Sequence, residues 1–235
     1  MDIQRGLAAG IGALVLAACQ PADTPPETGD TSAAAETGSG TASSVSTDFT
    51  VDVSYHQLDN GLRVVLSQDH TVPTATVGVY YGVGFRNEPR GRTGFAHLFE
   101  HLMFQGSRNL PHGAFDNLIY GSGGVNNGST RYDFTNYYEV VPSNALQAVL
   151  WAEADRMAFP DLDENQLNNQ REVVRNEVFV NVINQPYGGW IWIDLPMAAN
   201  ENWHNAHNFY GDLSDLDAAS LEDAQTFFDQ FYAPS

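Results

Sequence analysis

The chain has 235 residues, 43% of them apolar and 11% aromatic, enough to bury the core of one sizeable domain. Its formal net charge is −19, and its ten basic residues are all arginine. A surface of that sign repels nucleic acid and anionic membrane faces, so no nucleic-acid partner is expected.

Residues 1–18 read as an export signal rather than as part of a fold. Arg5 supplies the positive start, and Gly6 to Leu16 is an apolar stretch too short to span a bilayer. Leu16-Ala17-Ala18-Cys19 resembles the end of a bacterial lipoprotein signal, in which the cysteine becomes the acylated first residue. Read as an ordinary secretory signal, the same stretch leaves Cys19 without a role. The lipoprotein reading predicts attachment to a membrane through lipid on Cys19. Gln20 follows, so no aspartate there hints at inner-membrane retention, and the expected location is the outer membrane, facing the periplasm. Cys19 is the only cysteine, which excludes disulfides within the chain and thiolate metal ligands. Residues 19–48 are Pro, Thr, Ser, Ala, Gly and acid with no basic residue, the composition of a disordered tether. Residues 49–235 are then the folded domain.

That domain opens with a strand from Tyr55, a turn at Asp59-Asn60-Gly61 and a second strand, Arg63 to Leu66. Thr74 to Gly84 alternates enough for a half-buried strand. Thr93 to Phe104, rich in Leu, Ala, Met and Phe and flanked by Gly94 and Gly106, predicts a helix. Asn117 to Gly124 reads as a loop or helix end, and Thr130 to Val141 as one strand. Ser143 is expected to cap a helix through Met157 whose inner face is Ala145, Leu146, Val149 and Leu150. Ser220-Leu221-Glu222-Asp223 has the pattern of a capping box, and Phe227, Phe228 and Phe231 give the packed face of the last helix. Strands first and helices clustered afterwards predict an α+β fold, a layered sheet with helices on one face.

Within the helix at Thr93 to Phe104, His97-Leu98-Phe99-Glu100-His101 carries the chemistry. Residues four apart lie on one helical face, so His97 and His101 can meet at one metal ion, with Glu100 bordering that face. Two histidines, one acidic ligand and an open fourth position form a hydrolytic zinc arrangement. Gln170, Val173, Val174 and Glu177 fall on one later stripe, which makes Glu177 an inward-facing carboxylate, while Glu172 falls off that stripe. His204 and His207 offer another close pair but sit in a poorly periodic segment, and are read as structural or surface residues. Gly121 to Gly128 lacks the Lys-Ser/Thr ending of a phosphate loop and precedes a strand, so that reading is rejected.

His97 to His101 has the inverted order His-x-x-Glu-His. Gly91 to Ser107 around it resembles the zinc helix of the pitrilysin family, which includes insulysin and the mitochondrial processing peptidase. Gly123-Gly124-Val125-Asn126-Asn127-Gly128-Ser129-Thr130 is similar to that family's Gly-Gly-x-x-Asn-Ala-x-Thr segment, and Asp133 to Pro142 resembles the strand that follows. The resemblance runs from about Val51 to the last residue. It implies a pitrilysin-like N-terminal domain, stopping short of its last strand, that is a zinc metalloendopeptidase. The implied zinc ligands are His97, His101 and Glu177, with Glu100 as the base. It further implies an edge strand along which a peptide substrate lies, with Asn127 near the scissile bond, and a second homologous domain or subunit that completes the chamber. Many relatives carry a second glutamate where this chain has Gln170; glutamine keeps the hydrogen bonding but cannot take a proton, so Gln170 is expected only to orient a ligand. The competing expectation is a non-catalytic envelope lipoprotein or subunit that uses the same surface for binding or assembly.

Overall fold

The computed structural model describes residues 50–234. The expected export signal, Cys19 and the expected tether fall outside the described residues. Strands β1 (Ser54–Gln57) and β2 (Arg63–Leu66) pair antiparallel, with Ser54 opposite Leu66 and Gln57 opposite Arg63. Their turn is the expected one: Gly61 takes φ 93°, and the Asn60 side chain accepts from the Leu62 amide. Strand β3 (Thr74–Tyr81) belongs to a second sheet with β4 (Val125–Thr130) and β5 (Thr135–Pro142). That sheet is antiparallel throughout, in the order β3-β5-β4.

Two strand expectations are corrected. β3 ends at Tyr81 rather than Gly84, because the chain then leaves the ladder and runs along the β4–β5 turn, where the amides of Phe85 and Arg86 donate to the carbonyls of Arg131 and Tyr132. Glycine at position 84 allows this approach, since a Cβ there would lie 2.1 Å from the Arg131 carbonyl. The strand expected from Thr130 to Val141 starts only at Thr135, because residues 131–134 form the turn from β4, where the Arg131 amide donates to the Phe134 carbonyl. Strand-favouring residues continue through that turn, and an ion pair from Asp133 to Arg86, 47 residues away, accompanies it.

Residues paired across β3 and β5 face the same side. Val77, Val79 and Tyr81 join Tyr137, Glu139 and Val141 on the inner face, while Tyr80 and Tyr138 look outward. The helices cover that inner face: α1 (Phe95–Leu102), α2 (Ala114–Gly121), α3 (Leu146–Ala158) and α4 (Glu164–Val178). Wider helical turns follow at Phe179–Ile183 and Trp190–Asp194. The short α5 (Leu195–Ala199), α6 (Trp203–Ala206) and α7 (Leu213–Ala218) lead to α8 (Leu221–Phe231). Ser220 and Asp223 cap α8 reciprocally, as expected. Ser143 does not cap α3: it lies in a 3₁₀ turn and gives its amide to the Pro73 carbonyl. The inner face of α3 is also rotated from the expected one, since Leu150 is 52% exposed and Val149, Ala152 and Arg156 point inward. Among the described residues no helix is long and apolar enough to cross a membrane.

The main core packs Leu98, Phe99, Leu102 and Met103 of α1 against Leu167 and Val174 of α4, Phe227 of α8, and Tyr81 and Tyr137 of the sheet. A smaller cluster joins Phe115 and Ile119 of α2 to Val141, Val149 and Ala152. Between the two, Arg156 is buried against the faces of Phe104, Phe115 and Tyr137 and pairs with both Glu139 and Glu153. Burial and the adjacent Glu153 carboxylate hold the Glu139 carboxyl well above the usual carboxylate range, against the pull of Arg156. The Glu139 carboxyl is therefore held toward its protonated form at neutral pH.

Arg156→Met should lower the unfolding free energy by about 3 kcal/mol, because it strands a buried carboxylate. Since the folded pKa of Glu139 is raised, its contribution is fully present below the unfolded value of 4.5 and is lost as pH rises through the folded one. Glu139→Gln should consequently flatten the decline in stability between pH 5 and pH 9, read from urea midpoints about one pH unit apart. An unchanged slope would count against a raised Glu139 pKa.

Candidate metal centre

α1 is enclosed on nearly every side, so its free amides need partners inside the protein. Glu88, fully buried, supplies them: its carboxylate accepts from the amides of Gly94 at 2.9 Å and Ala96 at 2.8 Å. The positive end of the helix favours an anion at that point. His207 lies 3.4 Å from the same carboxylate, and its two ring nitrogens donate to the carbonyls of Trp203 and Phe85. Burial opposes charge on His207, but Glu88 and the two carbonyls outweigh it and hold its pKa above the usual value. A second tie runs from the Thr93 amide and hydroxyl to Asp215. Gly94 and Gly211, both at positive φ, allow the two segments to touch; a Cβ on Gly211 would sit 2.3 Å from the Gly94 nitrogen.

This anchorage brings His97 and His101 to the face of α1 that meets α4. Their Nε2 atoms are 3.2 Å apart, and Oε2 of Glu177 lies 3.6 Å from the first and 3.3 Å from the second. Three donors around a tetrahedral zinc, each about 2.05 Å from it, stand roughly 3.3 Å apart, so this triangle has the size the ion needs. Among the described residues it is the one group of three such donors. Glu172, the rival carboxylate, is exposed and pairs with Arg175.

Each donor is held in a usable state. Burial and the neighbouring His101 lower the pKa of His97 to about 4, which leaves a neutral imidazole at neutral pH. The rings of Phe209 and Tyr210 stand edge-on to His97, at 5.1 and 5.3 Å. Glu177 is kept ionised by its hydrogen bond with His101 despite partial burial. Its other oxygen, Oε1, accepts from the Tyr210 hydroxyl at 3.1 Å and from Asn181.

Glu100 lies on the same helix and outside that triangle. The Thr130 hydroxyl of β4 donates to its Oε2 at 2.6 Å. Burial raises the Glu100 pKa, with Thr130 and His101 opposing the rise. Gly128 lets β4 come this close, since a Cβ there would meet the Glu100 side chain at 3.0 Å. β4 is an edge of its sheet among the described residues, and exposed Asn127 on it lines a cleft shared with Glu100, His101, Phe104 and Asp116.

Two expectations, on Gln170 and Val173, land differently, and a third, on His204 and His207, holds. Gln170 is buried two turns before Glu177 but makes no hydrogen bond to His97, His101 or Glu177 among the described residues. Val173 is exposed, so the inward stripe of α4 is Leu167, Gln170, Val174 and Glu177. His204 is exposed and donates to the Arg86 carbonyl, and with His207 spent on Glu88 neither joins the metal group. Glu88, Thr130 and Tyr210 carry roles that sequence reading did not give them. Thr130 closes the glycine-rich segment already singled out, and Gly211 marks the close approach beside Tyr210; nothing local marks Glu88.

The family Insulinase (Peptidase family M16) matches residues 63–187. The chain is 33% identical over 179 residues to "Zinc protease PqqE" of Helicobacter pylori, covering 75% of this chain and 40% of that one. It is 33% identical over 124 residues to an insulin-degrading enzyme homolog of Dictyostelium discoideum, covering 52% of this chain and 13% of that one. A protease crystal structure from Helicobacter pylori superposes with a TM-score of 0.74 at 30% identity, over 79% of this chain and 45% of the other. Pitrilysin superposes with a TM-score of 0.70 at 23% identity, over 80% and 20%. The chain thus spans less than half the length of these relatives.

Glu88→Ala should cost about 3 kcal/mol in urea unfolding, because two buried amides of α1 and the His207 ring lose their partner. Glu172→Gln, on the exposed face of α4, should stay within about 0.5 kcal/mol of the parent. Equal effects would overturn the anchoring role of Glu88.

Proposed function

This chain belongs to the insulinase family of peptidases, M16, and from that premise we propose that it is the catalytic domain of a zinc-dependent endopeptidase acting on extended peptides. The observation that carries the proposal is the triangle of His97, His101 and Glu177 donor atoms with the Glu100 carboxyl beside it. His97, His101 and Glu177 would hold the zinc, which when bound supplies a Lewis acid toward a peptide carbonyl and its attacking water. Glu100 serves as the base. Thr130 occupies one of its oxygens, the other takes a proton from the water, and the same carboxyl then returns that proton to the leaving amine. A pKa raised by burial suits a group that must both gain and lose a proton near neutrality. The peptide would add as a strand along β4 near Asn127, a mode that reads backbone more than side chains.

A second homologous domain, in the same polypeptide or a partner subunit, would close over this cleft and supply further donors to the developing oxyanion. Loss of even one such donor costs about a hundredfold in rate, so turnover by this chain on its own is expected to be slow. The export signal and Cys19 place the mature protein, on this reading, at the bacterial outer membrane on the periplasmic side.

Purified protein should carry close to one zinc. His97→Ala, His101→Ala and Glu177→Gln should each lose it, whereas Glu100→Gln should retain it and lose hydrolysis of a fluorogenic peptide. If Glu100→Gln hydrolyses peptide at the parental rate, Glu100 is not the base; a parent that hydrolyses no peptide makes the binding-only alternative the better reading. For the anchor, a labelled fatty acid fed to a bacterial host should enter the parent protein and not Cys19→Ser; label in both removes Cys19 from that role.

A further inference from the structure

The cleft beside Glu100 has an end that the proposed proton transfer does not use. Its walls are Glu100, His101 and Phe104 from α1 and the turn after it, Asp116 and Tyr120 from α2, and Asn126 and Asn127 from β4. At about 270 Å3 it is smaller than the roughly 300–1,000 Å3 usual for a whole small ligand, and suits a single side chain. Asp116 and Tyr120 are four residues apart, so both project from one face of α2. Oδ1 of Asp116 accepts from the Asn126 amide group at 2.8 Å, which fixes the carboxylate toward β4. Oδ2 takes no hydrogen bond, and Asp116 has no ion pair, among the described residues. The exposed Tyr120 ring and the ring of Phe104 provide apolar walls on the way to it.

A cleft lined by two aromatic rings and by an anion with an unused oxygen matches a side chain with an apolar stem and a cationic head. Resting on the endopeptidase reading above, we propose that Asp116 makes this cleft a subsite for a lysine or arginine next to the scissile bond of the substrate. The stem packs against Phe104 and Tyr120, and the head pairs with Asp116, with the Tyr120 face available for a cation–π contact. Asn126 is a positioning residue, holding Asp116 in place. The second carboxylate in the cleft, Glu100, has one oxygen occupied by Thr130 and lies beside the metal donors, whereas Asp116 stands apart from them with one oxygen unused.

The test uses zinc-loaded full chain carrying Glu100→Gln, which leaves peptides intact and removes the rival charge. Labelled extended peptides carrying lysine, arginine, norleucine or glutamate at one position, moved stepwise along the peptide, are titrated and followed by fluorescence anisotropy. At one position lysine and arginine should bind about tenfold more tightly than norleucine, the worth of one charged hydrogen bond, and the gap should shrink with salt. Asp116→Asn, which keeps the acceptor for Asn126, should reduce that gap to about twofold, and Asp116→Lys should reverse it in favour of glutamate. Tyr120→Ala should weaken lysine and norleucine peptides alike. Equal binding of lysine and norleucine at every position, a lysine preference that Asp116→Asn retains, or no binding by any peptide would overturn the subsite. A stability loss in Asp116→Asn with an unchanged binding ratio would assign Asp116 to the first turn of α2 alone. Failure of the endopeptidase reading shows elsewhere, as a parent protein that holds no zinc or cleaves none of these peptides.

Discussion

Burial of α1 is the constraint on which the rest of this domain depends. The helix has eight residues, six of them buried, yet its sequence includes two imidazoles and a carboxylate. A helix that short has little stability of its own in water. It persists because Leu98, Phe99 and Leu102 fill the main core and because its first amides end on Glu88 rather than on solvent. The same enclosure that secures the helix then dictates its chemistry. His97 loses water on all sides and stays neutral, Glu100 is pushed toward its protonated form, and only Glu177, half open to solvent, remains readily charged. A neutral His97 imidazole, an ionised carboxylate and a poised acid are three different outcomes of burial and hydrogen bonding across a few ångströms.

The fold handles its buried acids by three separate routes. Glu88 is given a cation, His207, and the positive end of a helix. Glu139 is given the buried Arg156, which it shares with Glu153, and is held toward its protonated form. Glu100 is given a single hydroxyl, from Thr130, and is left otherwise unpaired. The first two routes neutralise the group fully, which suits a structural position where an uncompensated charge would be costly. The third leaves a carboxyl whose protonation can change, and it is the one beside the metal donors. A surplus of acid in the composition thus does not mean a surplus of reactive acid; partner geometry separates the working carboxyl from the structural ones.

What could be read from sequence follows the range of the interaction. His97, Glu100 and His101 are legible because helix geometry alone aligns positions three and four apart, and Glu177 is legible because the α4 stripe turns it inward. The same stripe argument misplaced Val173, and on α3 it misplaced Leu150, since periodicity gives the width of a buried face less well than its centre. The turn between β4 and β5 was invisible because Tyr132, Phe134 and Thr135 favour strand as strongly as their neighbours. Glu88 and His207 are 119 residues apart, and Thr130 meets Glu100 across 30. No local pattern encodes such pairs; they exist only once the sheet and α1 have met.

Charge acts on this site at two distances, and the two have different consequences. A net charge of −19 favours the approach of any cationic peptide and disfavours any acidic one, but that field is diffuse and decays within about 8 Å at physiological salt. It changes how often a substrate arrives, not which bond is presented. Discrimination between neighbouring residues of one peptide needs a charge fixed at a single place in the cleft, and the hydrogen bond from Asn126 to Asp116 provides that fixity. Strand addition along β4, as proposed, would hold the peptide backbone in any register, so without such a fixed charge successive residues would be nearly equivalent. On the proposed function, an edge strand that binds backbone and one carboxylate that selects a register would be complementary, and neither would give a defined cleavage position without the other.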